Sequence, residues 1–208
     1  MAPEDITRPR PAVPSRPRSS RARPVSNSDR LAHLLNALII IALFIYAIIT
    51  YSALPERIPI HFNTMGTPDS WADKSWGVWL TLPLVALGLS CLFYATTYLV
   101  DVAKKHPRWL SLPKREEFLA LPEEKQAPIW HKMKSMLYWM AVPMNLLILY
   151  AFHTTYTMAV GTAESLVMWP IWACMGAILI ITFTITYSLI RSVRTAVEKH
   201  QKESAGQS

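Results

Sequence analysis

Leu31–Ala53, Gly77–Val100 and Leu166–Ile190 contain no charged side chain, and Lys134–Met158 has one, at its first residue. Each stretch exceeds the roughly 20 apolar residues that cross about 30 Å of hydrocarbon as a helix. Inside hydrocarbon no water can serve the backbone, so each segment must satisfy its own N–H and C=O groups, as a helix does. The chain is 51% hydrophobic yet carries a formal net charge of +7. Soluble helices interrupt apolar runs with polar faces, whereas here the polar residues are gathered between the runs. The fold class this predicts is an all-α membrane protein. It is a four-transmembrane-helix bundle over residues 31–192, with a tail at each end (1–30 and 193–208) and an ordered extracytoplasmic loop after the first helix. A signal peptide is the rival reading of the first stretch, with Ser52-Ala53 as a small-residue site. The apolar run is longer than a typical h-region, so an uncleaved helix is expected.

Orientation follows from counting Lys and Arg. The 1–30 tail holds 7, the 101–133 segment 7 and the stretch after Ile190 another 4, with Lys134 opening the third span. The 54–76 loop holds 2 and the seven-residue 159–165 connection none, so the balance is 19 against 2. Positive residues stay inside, which places both termini in the cytoplasm and turns residues 54–74 outward. The Arg-rich tail, broken by prolines and serines, buries too little apolar surface to order itself and is expected to be disordered. It could touch nucleic acid or anionic lipid, but a topological flank is the simpler role, and no nucleic-acid partner is expected. Its prolines spoil the amphipathic helix of a mitochondrial transit peptide.

Other polar features have structural readings. Pro113-Lys-Arg-Glu-Glu-Phe and Leu121-Pro-Glu-Glu-Lys read as two short amphipathic helices with Pro near their starts. Phe118, Leu119, Ile129 and Trp130 would then lie on the membrane surface. His33 and Asn36 fall near the cytoplasmic end of the first span, where headgroup water reaches them. Asn145 is expected to bond a neighbouring helix, and Thr182, Thr184, Thr186 and Ser188 their own helix backbone. Trp76, Trp79, Trp169 and Trp172 fit the interfacial belts. Cys91 and Cys174 differ in depth by roughly 9 Å at the helical rise, so they read as packing residues rather than a disulfide. No internal repeat supports the inverted repeats of many transporters.

Residues 54–74 are the stretch that membrane threading does not explain. Pro55 and Pro59 enforce extended backbone. Ile58, Ile60 and Phe62 alternate with Pro59, His61 and Asn63, which predicts one apolar and one polar face. Asn63-Thr-Met-Gly66 reads as a turn, Gly66 supplying positive φ. Asp69 or Ser70 is placed to cap a short helix leading into the second span.

The run Leu54-Pro55-x-x-Ile58-Pro59-x-His61-Phe62-Asn63-x-x-Gly66-x-Pro68-Asp69-x-Trp71-x-x-Lys74 resembles the signature of the bacterial domain of unknown function 1648. That signature follows the first helix of multi-pass proteins and is shared with relatives of SdpI-type immunity and signalling proteins. Phe118 to Trp130 is also similar to members with this domain. The resemblance runs from the first span into the second. It implies a bacterial inner-membrane protein and carries no established reaction. SdpI-type proteins are usually longer, with more helices.

The functional expectation is a non-enzymatic envelope interaction, immunity or sensing component. Its outward stretch would contact a peptide, lipid or envelope protein through His61, Asn63 and Asp69, on a loop shaped by Pro59, Gly66, Pro68, Trp71 and Lys74. The alternative is an extracytoplasmic metal-binding or small-solute transport protein. There His61, His153 and Asp73, with Glu164 nearby, would offer imidazole and carboxylate ligands; His153 lies roughly 7 Å below the outer end of the third span. The bland reading has His61 and Asn63 bonding loop backbone and His153 bonding a neighbouring helix. No phosphate loop, His-Glu-x-x-His helix or nucleophile elbow occurs, so no catalytic residue and no cofactor are assigned.

Overall fold

A computed structural model describes residues 26–106, 108 and 112–206. Most of the tail expected to be disordered therefore lies outside the described residues. Its last residues, however, are helical: Ser26 caps the first helix, its Oγ accepting from Asp29 N at 3.1 Å. The elements in order are α1 (Asn27–Thr50), a 3-10 turn (Tyr51–Ala53), β1 (Arg57–Phe62), β2 (Pro68–Asp73), α2 (Trp76–Trp79), α3 (Thr81–Lys105), α4 (Arg115–Leu119), α5 (Glu123–Ala159) and α6 (Trp169–Ala205). Four of these helices are long and apolar enough to cross a membrane, as the sequence predicts.

Burial on α1 follows one stripe. Asp29, Ala32, Asn36, Ile39, Leu43, Ala47 and Thr50 are buried at intervals of three and four residues, the spacing of one helix face. The opposite face exposes Leu31, Leu34, Leu38, Ile41, Ile45 and Ile48. The interior is thus the smaller and more polar side, which suits helices packed where lipid is as apolar as leucine. Helix α5 is the central element, packing on α1, α3 and α6 and carrying β1 on one end. Helix α6 rests on α5, and no residue of its apolar window is buried.

Helices α5 and α6 both run past their apolar spans. Each has 37 residues, about 55 Å at the helical rise, well beyond the hydrocarbon thickness. The extensions correct the expectation for residues 101–133. Among the described residues, only α4 is a separate short α-helix there; the stretch after Pro122 is the opening of α5, with Pro128 inside it. Nor do Phe118, Ile129 and Trp130 lie on a membrane surface. They are buried with Val100, Leu121, Val193 and Val197 in a second core, with Leu119 packed partly against it. This core forms because α4 folds across the protruding ends of α3, α5 and α6. The Gln126 amide holds the crossing, donating to Leu119 O and Leu121 O at 3.2 and 2.7 Å. Asp101 fastens α3 to α5 by accepting from Lys134 Nζ at 2.5 Å. Cys91 and Cys174 are both free, as expected.

Candidate functional site

Residues 54–76 form a β-hairpin seated on the end of the bundle. Strands β1 and β2 pair antiparallel, with Arg57 opposite Asp73, Ile58 opposite Ala72, Pro59 opposite Trp71, His61 opposite Ser70 and Phe62 opposite Pro68. The register breaks on both sides of His61, leaving Ile60 without a partner in the ladder. An extra residue in one strand resets the alternation of faces, so the expected apolar row is not formed. Ile58 and Pro59 are buried consecutively, and Ile60 is 54% exposed. Ile58 joins Leu54, Leu43, Ala47, Trp79 and Phe152 in the first core.

The turn is built by Asn63. Its Oδ1 accepts from Met65 N at 2.9 Å and Thr67 N at 3.1 Å, and its Nδ2 donates to Thr67 Oγ1 at 2.6 Å. This is the self-capping habit of Asn in turns, and it commits most of the amide to backbone shape. Gly66 has φ of 79°, and its carbonyl accepts from Leu166 N at 2.9 Å. A Cβ there would stand 3.0 Å from both Leu166 Cβ and Leu166 O. Glycine is required twice, for conformation and for the approach of the α5–α6 connection.

The base of the hairpin is closed by Lys74, whose Nζ donates to Leu54 O at 2.8 Å and lies 5.0 Å from the Tyr51 ring centroid. Tyr51 stacks on Trp76 at 3.7 Å. The expected cap at Asp69 or Ser70 is not made, because both lie within β2. Ser75 caps the short helix instead, accepting from Val78 N at 3.3 Å. Trp79, expected in an interfacial belt, is buried and donates Nε1 to Ala47 O at 3.0 Å, while Trp76, Trp169 and Trp172 are exposed.

On the outer side His61 Nδ1 and Asp69 Oδ1 meet at 2.5 Å, with the side chains 68% and 41% exposed. Ile60, Met65 and Trp71 of the same hairpin are also exposed. Asp73 stands at the hairpin base opposite Arg57, and Glu164 is exposed in the α5–α6 connection. His153 is exposed on α5 rather than buried, and its Nδ1 meets Tyr46 Oη at 2.8 Å. Among the described residues, no three His, Cys, Asp or Glu side chains come together in a way that could hold a metal ion.

Two polar clusters deeper in the bundle were only partly visible in the sequence. Asn36 is buried rather than hydrated by headgroups, donating to Ser90 Oγ at 3.1 Å. Asn145 Nδ2 donates to Asn36 Oδ1 at 2.6 Å and Ser90 Oγ at 2.7 Å, joining three helices. Asn145 Oδ1 is buried without a partner among the described residues. Asp29, 1% exposed, accepts from Ser135 Oγ at 2.6 Å. His131 Nε2 stands 3.2 Å from its other oxygen, at ion-pair distance but without hydrogen-bond alignment. The two Asn residues were the available signal; nothing marked Ser90 or Asp29.

The matched region of known proteins coincides with the hairpin and its seat. Residues 38–87 match Domain of unknown function (DUF1648). Over that stretch the chain is similar to this domain. A curated relative from Archaeoglobus fulgidus, described as an uncharacterized protein, is 29% identical over 91 residues, covering 43% of this chain and 49% of the relative. The chain thus spans about half the length of the curated relative it matches. No solved structure matches it. The DUF1648 match includes Leu43, Ala47, Leu54, Ile58, Trp79 and Ala86 of the first core. The α5 side of that core, Val142 and Phe152, lies outside the match, as do Asn36, Ser90 and Asn145.

Proposed function

We propose that the DUF1648 hairpin is the outward recognition element of a non-enzymatic inner-membrane protein, serving envelope interaction, immunity or sensing. Its partner is an envelope peptide or protein, and both termini are cytoplasmic. The carrying observation is the contrast between how the hairpin is held and what it presents. Asn63, Gly66 and Lys74 spend their groups on its shape and seating. The His61–Asp69 pair is left at the surface, as are Ile60, Met65 and Trp71 of the same hairpin. Exposed aromatic and apolar side chains together with a polar pair are the composition of a small recognition surface. The charge balance of 19 to 2 supports the outward orientation.

The test is a His61→Ala, Asp69→Ala double variant at native expression. It is expected to reproduce the deletion phenotype at unchanged membrane abundance. Lost abundance would return the pair to a structural role, and a wild-type phenotype would remove the proposal. Thiol labelling of Thr64→Cys and Glu124→Cys variants in intact cells checks the side. Reaction from outside at position 64 only is expected, and reaction at 124 only would invert the orientation.

A further inference from the structure

We propose that a basic groove between α5 and α6 binds the phosphate headgroup of an anionic membrane lipid, whose acyl chain lies along the exposed stripe of α6. The groove has a volume of about 410 Å³, and Lys125, Arg191 and Lys199 line it with Ser188, Ser192 and Thr195. Residues 125, 128, 129 and 132 share one face of α5, and 188, 192, 195 and 199 one face of α6, by their spacing of three and four.

Three observations converge on this site. The first is depth: the groove begins at Ser188, where the apolar run of α6 ends at Ile190, and a lipid phosphate sits at that boundary. The second is uncompensated charge. The lining includes no carboxylate. Glu203 neutralises Lys125 from outside at 2.5 Å and also attracts Lys199, so one carboxylate faces three cations, and Arg191 makes no ion pair among the described residues. Lys132, at the inner end, spends its donors on Ser188 Oγ at 2.8 Å and Ser192 Oγ at 2.9 Å. No carboxylate among the described residues neutralises it, and the serines are oriented with it. Basic pockets between transmembrane helices are the chemistry that holds anionic headgroups.

The third observation is the track leading away from the groove. Ile180, Phe183 and Tyr187 lie on one stripe with Arg191, spaced three, four and four residues apart. Each is two-thirds exposed or more: 68%, 75% and 67%. No residue of this apolar window is buried by protein. A cation at the headgroup end of a bare apolar stripe is the form a diacyl anionic lipid fits. A free phosphate would use the groove and leave the stripe idle.

The test uses the full chain in a neutral detergent, titrated with phosphatidylglycerol or phosphatidylcholine of identical acyl chains and read by native mass spectrometry. Phosphatidylglycerol is expected to be retained in preference, and equal retention of phosphatidylcholine would overturn the proposal. Each cation near a membrane surface contributes about fivefold to binding, so Arg191→Gln with Lys199→Gln should weaken retention about 25-fold. Lys105→Gln, an exposed cation on α3, should not; an unchanged double variant would overturn the site. Salt gives a reading that needs no variant: retention should fall steeply with sodium chloride, and salt-independent retention would refute the cationic groove. Glycerol phosphate at matched concentration should fail to displace the lipid. Full displacement would reassign the groove to a soluble phosphate and overturn the lipid.

Discussion

Replacing Gly66 by alanine tests the seating of the hairpin, and the magnitude can be worked from its surroundings. A left-handed residue with a Cβ costs roughly 1–2 kcal/mol. The φ of 79° at Gly66 incurs that cost. A methyl forced into packed surroundings costs roughly 1–3 kcal/mol more, and here it would meet Leu166 at 3.0 Å. The sum is roughly 2–5 kcal/mol, lost from the hairpin locally. Two other glycines provide the comparison. Gly161 has φ of 74° and open space where a Cβ would stand, and Gly88 has neither strain nor neighbour. Gly161→Ala should therefore cost only the conformational part, about 1–2 kcal/mol, and Gly88→Ala should be neutral or gain up to about 1 kcal/mol of helix propensity. The assay is hydrogen exchange in detergent, read at the amides of Asn63 and Lys74, which bond Thr67 O and Glu56 O. Gly66→Ala should speed their exchange by about 30-fold or more at tenfold per 1.4 kcal/mol. Equal effects at positions 66 and 161 would refute the close approach of Leu166.

Removing Asn145 as alanine should cost roughly 2–4 kcal/mol, since it leaves a cavity and strips Asn36 Oδ1 of its donor. An Asn36–Asn145 double-mutant cycle should return a coupling of roughly 0.5–2 kcal/mol in denaturant titrations. Asp29→Ala should destabilise by roughly 1–3 kcal/mol by removing a buried carboxylate that accepts from Ser135 and faces the half-exposed His131, and Asp29→Asn clearly less, because Ser135 Oγ keeps an acceptor. Thermal unfolding of both variants checks the order, and equal losses would show that the charge is what matters. His61→Ala should change stability by about 1 kcal/mol at most, as an exposed pair does; a larger drop in melting would make the pair a structural clasp.

The four spans were legible because hydrocarbon thickness imposes a minimum apolar length that few other folds meet. Their ends were less so. A hydropathy reading stops at the first charges, Lys134 or Arg191, but helical hydrogen bonding continues into water wherever another core waits. Val193, Val197, Ile129 and Trp130 supply that core. Their burial depends on α4 arriving from elsewhere in the chain, which no local pattern reports. In the hairpin, prolines and the Asn63–Gly66 turn announced extended backbone and reversal. The register breaks on either side of His61 did not announce themselves, and they undid the alternation. Asp69 lies inside β2, and the cap falls to Ser75. Asn36 was placed by its distance along the sequence from the tail, whereas its burial follows from its place on the α1 stripe that meets Ser90 of α3 and Asn145 of α5.

Helix α6 has the mechanics of a beam resting on two supports. At one end Leu166, just before the helix, is bonded to the hairpin tip, and at the other Val193 and Val197 are sunk in the second core. Between them the apolar window of α6 lies against α5 without a single buried residue. A load on the hairpin would thus reach α6 through the Gly66–Leu166 peptide hydrogen bond, be shared with α5 through the bond from the Tyr150 hydroxyl to Val167 O, and be resisted at the far end by the second core.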